Sequence, residues 1–158
     1  MKRMVLAGLL LALAALGALA YLRLENRRDP VVLGYVSCLT GKFSALSGSG
    51  RDGAVLAVEH VNARGGVAGR RLELVVVDDG FNPETAGEAV KSLHAMGASA
   101  VIGPFASAMA QPMLDAATRA GALLVSPTVA TDDLTGKDDL FIRLIPTTAS
   151  VSFALGKH

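Results

Sequence analysis

Tryptophan is absent from this chain and cysteine occurs once. A lone thiol, Cys38, excludes an internal disulfide and any zinc cage built from cysteines. The three histidines, His60, His94 and His158, are scattered without an HExxH or comparable spacing, so no metal site is legible. Charge is also sparse: Asp, Glu, Lys and Arg together make up 18% of the 158 residues, and aromatics 4%. Beyond the amino terminus the only basic cluster is Arg70-Arg71. Tracking a phosphate backbone takes several cations on one face, so nucleic acid is excluded as a partner.

What is present is apolar, at 51% of residues and a mean hydropathy of +0.45. Much of it is concentrated in one place, since the 18 residues from Val5 to Leu22 carry no charge. A basic start (Met1-Lys2-Arg3), this run, and Ala18-Leu19-Ala20 before Tyr21 match the three parts of an export signal. The run exceeds the usual signal core of about 7 to 15 residues and approaches the roughly 20 that span a bilayer. Residues 1–22 are therefore expected to be either a cleaved signal peptide or a retained membrane anchor, with 23–30 as linker. Either way the rest is placed outside the cytoplasm, in the periplasm or on the outer side of the inner membrane. Up to Arg28 there are five basic residues and one acid; from Asp29 onward ten basic and thirteen acidic residues make the folded part mildly acidic.

From Val31 the hydrophobic period alternates between 2 and 3.6, which predicts a parallel α/β sheet with helices on both faces behind a hydrophobic amino-terminal helix. Strands are expected at Val31–Val36, Leu72–Val77, Ala100–Ile102, Leu123–Val125 and about Phe141–Leu144. The first intervening helix is expected over Arg51–Arg64, with Val55, Val58 and Val61 inward. The next starts at Asn82 as cap, Pro83 at its first position and Glu84 in its first turn. A third covers about Met109–Ala120, and Thr147–His158 reads as the opening turns of another.

Ligands of an open parallel sheet bind beyond the carboxyl ends of its strands, which selects the loops Ser37–Ser49, Gly103–Ala108 and Ser126–Leu134. Ser107 is expected to cap the third helix, where its hydroxyl and the free amides beyond it offer a seat for a carboxylate, or serve only the helix. Thr128 and Thr131, with nearby carbonyls, suit an ammonium group, or simply satisfy the turn. Gly48-Ser49-Gly50-Arg51-Asp52-Gly53 fits G-x-G-x-x-G but begins 12 residues past Val36, too far for a dinucleotide turn. Val75 to Asp79 ends in an acid pair like that of a phosphoacceptor domain, yet the acceptor Asp and the Lys are missing from the later strands. The pair is expected to serve helix entry and solvation. There is no G-x-S-x-G elbow and no histidine near Cys38, so neither catalysis nor a cofactor is indicated.

Taken together, three stretches resemble the amino-terminal lobe of type I periplasmic binding proteins of the branched-chain amino acid receptor family. They are Val32 to Ala86, Ala100 to Pro112 (AVIGPFASAMAQP) and Leu123 to Gly136 (LLVSPTVATDDLTG). The most specific pieces are the L-T-G of the first loop, the N-A-x-G-G-V-x-G-R turn, V-x-D-D, and V-I-G-P followed by A-Q-P.

The resemblance implies that Ser107, with the amide of Ala106, holds a ligand carboxylate and that the backbone at Thr128 meets an α-amino group. It places Ala130 where amino acid binders carry a threonine, a hydroxyl that only Thr131 could supply, one residue on. Leu46 falls at a position often occupied by an aromatic wall. It further implies a second lobe closing over the ligand, so that 31–158 is one truncated lobe, non-enzymatic, serving a permease of an ABC-type uptake system. Two alternatives stay open: the extracytoplasmic sensor of an anchored receptor with a signalling module, and an α/β enzyme.

Overall fold

The computed structural model describes residues 2–25 and 29–157. Part of the expected linker, 26–28, lies outside the described residues. Five strands, β1 (Val31–Ser37), β2 (Leu72–Asp78), β3 (Ala100–Ile102), β4 (Leu123–Ser126) and β5 (Phe141–Arg143), form one sheet. Their order is β2-β1-β3-β4-β5 and every pairing is parallel. The helices are α1 (Lys2–Glu25), α2 (Ser44–Ala63), α3 (Pro83–Ala95), α4 (Ala110–Ala120) and α5 (Thr148–Leu155).

Helix α1 exposes Leu11, Leu13, Leu16, Leu19 and Tyr21. Among the described residues no helix is long and apolar enough to cross a membrane, so the retained-anchor expectation gains no support.

The start of α3 follows its sequence signals. The Asn82 side chain accepts from the amides of Glu84 and Thr85 behind Pro83, satisfying two donors that the first turn leaves open. Helix α2 departs from expectation by starting at Ser44, so half of the anticipated long first loop is helical. Tertiary contacts override the poor helix propensity of its Ser and Gly residues: the Tyr35 hydroxyl donates to the Ser47 carbonyl at 2.9 Å.

The two faces of the sheet are unequally covered. Successive strand residues point to opposite faces. Val36, Val101 and Leu124 pack with Val90 and Leu93 of α3 and Met113 of α4 into a core that is essentially solvent-free. Each such large side chain contributes about 1.5–3 kcal/mol by leaving water. Tyr35, between Gly34 and Val36, turns instead toward α2. Among the described side chains of that helix no apolar one is fully buried, and Val55, expected inward, is exposed. Over β5 the same face carries Ile142, which is also exposed.

Candidate functional site

The chain leaves β1 toward β2 on one side and returns to β3 on the other, which makes the β1/β3 border the reversal point of the sheet. The loops after β1, β3 and β4 converge at this end. Gly103 opens the loop after β3 with φ +140°, and a Cβ there would meet the Val36 carbonyl oxygen at 2.6 Å, so glycine is required.

The loop after β1 is held by Asp78. One carboxylate oxygen accepts from the amides of Leu39 (2.8 Å) and Gly80 (2.9 Å), the other from the Thr40 hydroxyl (2.7 Å). Burial alone would raise this carboxyl, but the Thr40 hydroxyl and the surrounding amides outweigh it and hold Asp78 below the ordinary carboxylate value. Its neighbour Asp79 is 2% exposed, and its one recorded hydrogen bond comes from the Phe81 amide. Burial, with the Asp78 charge adding to it, pushes Asp79 up. The acid pair is thus a loop clasp and a buried carboxyl, which corrects its expected role in helix entry and solvation.

Cys38 lies beside both acids, the three ligand-type atoms within 4.8 Å of one another. Burial first, then the two carboxylates, raise its thiol above the ordinary range. Both oxygens of Asp78 already accept hydrogen bonds, so the group is built to organise the loop.

Two hydrogen bonds join the loops after β3 and β4. Ser126, fully buried, donates to the Pro104 carbonyl at 2.8 Å and accepts from the Val129 amide at 3.0 Å. Thr128 donates to the Phe105 carbonyl at 2.9 Å. The Phe105 ring rests against Tyr35 with centroids 5.1 Å apart. Sequence reasoning passed over Ser126 and Phe105 as site-building residues; the signal available for the former was a small hydroxyl at a strand end directly before proline.

Ser107 is not the helix cap it was expected to be. A 3-10 turn, Ser107–Met109, precedes α4, and its cap position is taken by Ala106 in extended backbone (φ −126°, ψ 138°). The cause is local: the helical path begins one residue early, so Ser107 is inside the first turn. Its side chain is exposed and makes no capping bond. The first-turn amides therefore have no side-chain acceptor.

Thr131, by contrast, is a cap. It accepts from the Asp133 amide at 3.4 Å and donates to the Asp133 carboxylate at 2.9 Å, over the 3-10 turn Asp132–Leu134. Its hydroxyl is thus engaged by Asp133. The Ala130 carbonyl accepts from both the amide and the hydroxyl of Thr148. Leu46 falls in the first turn of α2 rather than in a loop, and its side-chain contacts lie outside the described residues.

An open parallel sheet with loops gathered at its reversal point is the architecture of a doubly wound α/β lobe. A family model for periplasmic binding proteins matches residues 30–158, and the chain belongs to that family. It is 32% identical over 105 residues to the Leu/Ile/Val-binding protein BraC3 of Rhizobium johnstonii, covering 66% of this chain and 29% of that protein. Against the leucine-, isoleucine-, valine-, threonine- and alanine-binding protein of Pseudomonas aeruginosa the identity is 28%, covering 78% of this chain and 33% of that one. In structure it is similar to the LivJ substrate-binding protein of Streptococcus pneumoniae in complex with isoleucine: TM-score 0.71, identity 29%, 75% of this chain and 34% of that chain. A Desulfitobacterium hafniense substrate-binding protein in complex with Leu gives TM-score 0.70 at 27% identity, over 82% of this chain and 38% of that chain. The chain thus spans about a third of the length of the curated relatives it matches.

Proposed function

We propose that residues 31–158 form the ligand-gripping lobe of an extracytoplasmic binding protein for a small carboxylate, an amino acid or a close relative of one, in an ABC-type uptake system. The observation that carries this reading is Ser107: an exposed hydroxyl without a hydrogen-bond partner among the described residues, on the first turn that opens into α4. A hydroxyl next to first-turn amides that lack a side-chain acceptor, at the positive end of a helix, favours an anion. On the loop after β4 the Thr128 carbonyl accepts no hydrogen bond from described residues, which suits a ligand ammonium. The named relatives supply the ligand class. The apolar start, 1–22, serves export in this reading.

The test is Ser107→Ala in the full chain, with leucine as probe. Affinity is expected to fall about ten- to hundredfold, the equivalent of about 1.5–3 kcal/mol for a hydrogen bond to a charged group. Melting temperature should stay unchanged, since Ser107 caps nothing. Affinity within twofold of the unmodified protein would remove the carboxylate assignment.

A further inference from the structure

The last residue of β5 and the residues beyond the strand grip the loop after β4 at three successive positions. Thr148 donates to the Ala130 carbonyl twice, from its amide at 2.9 Å and its hydroxyl at 3.1 Å. Arg143 donates from Nη1 to the Thr131 carbonyl at 2.7 Å. The Ala149 amide donates to the Asp132 carboxylate at 3.1 Å. Helix α5 buries none of its residues, so these bonds, rather than packing, fix its start against the loop. Arg143 is half-buried, has no carboxylate partner among the described residues, and lies 5.7 Å over the Phe141 ring. A planar guanidinium held on an aromatic face presents its donors in a fixed direction.

The consequence for the loop is selective. The carbonyls of Ala130 and Thr131 are turned toward Thr148 and Arg143 and are occupied. The Thr128 carbonyl, at the other end of the same short stretch, is left without a donor, while its hydroxyl is tied to Phe105. We propose that Thr148 and Arg143 are positioning residues for the site: by occupying two carbonyls they fix the loop so that the third, on Thr128, receives the ammonium group of the ligand. The inference rests on the binding function proposed above, and adds two residues outside the three loops to it.

Two probes with the same carbon skeleton separate this role from a structural one. Leucine carries the amine; 4-methylpentanoate lacks it. In the full chain kept in detergent solution, Thr148→Val should lower leucine affinity about tenfold and leave 4-methylpentanoate within about twofold. Thr148→Ser, which keeps the hydroxyl, should restore leucine binding. If Thr148→Val fails to fold, Arg143→Lys carries the same comparison, because lysine keeps the charge but not the guanidinium geometry. Equal losses for both probes, or no loss for leucine, would overturn the positioning role while leaving the carboxylate site standing. If the unmodified chain binds neither probe, the binding function itself falls and the positioning role with it.

Discussion

The Thr128 hydroxyl donates to the Phe105 carbonyl at 2.9 Å, and that bond fastens the loop after β4 to the loop after β3. Ser126 makes a second, buried tie between the same loops, to Pro104. The two candidate ligand groups, Ser107 and the Thr128 carbonyl, therefore sit on loops that cannot move independently.

Thr128→Val should release the outer tie and keep the inner one. The bond is solvent-exposed, so the stability cost is expected at the low end of about 0.5–1.5 kcal/mol. Amide exchange at Phe105 to Ala108 should accelerate, while core amides such as those of Val101 and Leu124 stay protected. Denaturant melts and exchange mass spectrometry on the same variant check both parts.

Gly50 is fixed by the same architecture. A Cβ at this position would lie 2.7 Å from the Phe105 ring and 2.9 Å from the Tyr35 hydroxyl. Gly50→Ala should displace the ring and strain the Tyr35–Ser47 hydrogen bond, costing about 1–3 kcal/mol as overpacking does. Because Phe105 supplies the carbonyl that holds Thr128, the loops should loosen too. Gly53→Ala on the same helix has open space around it and serves as the control.

The strands and α3 were legible because their signals are local: β-rich runs, and Asn82-Pro83-Glu84 as a start that the structure reproduces. The family was legible through L-T-G, V-x-D-D and V-I-G-P. What could not be read depends on distant partners. The serines and glycines before Arg51 look like loop until Tyr35 and Phe105 are placed beside them. Ser107 looks like a cap until the helix is seen to begin at its own position. Thr148 and Arg143 gave no sign of touching the loop after β4, since the contacts they make are 18 and 12 residues away.

The edge strand should govern solution behaviour. β5 pairs with β4 on one side only, and Ile142 (45% exposed) and Leu144 (65% exposed) carry apolar surface at that edge. Unpaired backbone beside exposed aliphatic side chains promotes association. The combined substitution Ile142→Thr and Leu144→Lys should lower concentration-dependent association in sedimentation velocity. Surface changes of this kind shift stability by no more than about 0.5 kcal/mol. An unchanged sedimentation profile would mean that association, if present, uses another face.

The adjacent acids Asp78 and Asp79 should give opposite pH signatures. Asp78 is held below the ordinary carboxylate value of 3.8 in the folded chain by the hydroxyl and amides around it. The folded state then binds fewer protons than the unfolded one, so stability rises with pH across this window. Its contribution is complete above the unfolded value and disappears as pH falls through the folded one. Asp78→Ala should therefore cost about 1.5–3 kcal/mol at neutral pH, from lost bonds to a charged group, and progressively less in acid. Asp79 has its value raised above 3.8, chiefly by burial, so the folded state binds more protons and stability falls as pH climbs through the raised value. Asp79→Asn keeps an acceptor for the Phe81 amide and removes the buried charge. It should raise the melting temperature at neutral pH and lose that advantage once both states of the parent are protonated. Chemical denaturation from acid to neutral pH reads both signs, and a neutral-pH loss for Asp79→Asn as large as that for Asp78→Ala would show that Asp79 works as a charged clasp like its neighbour.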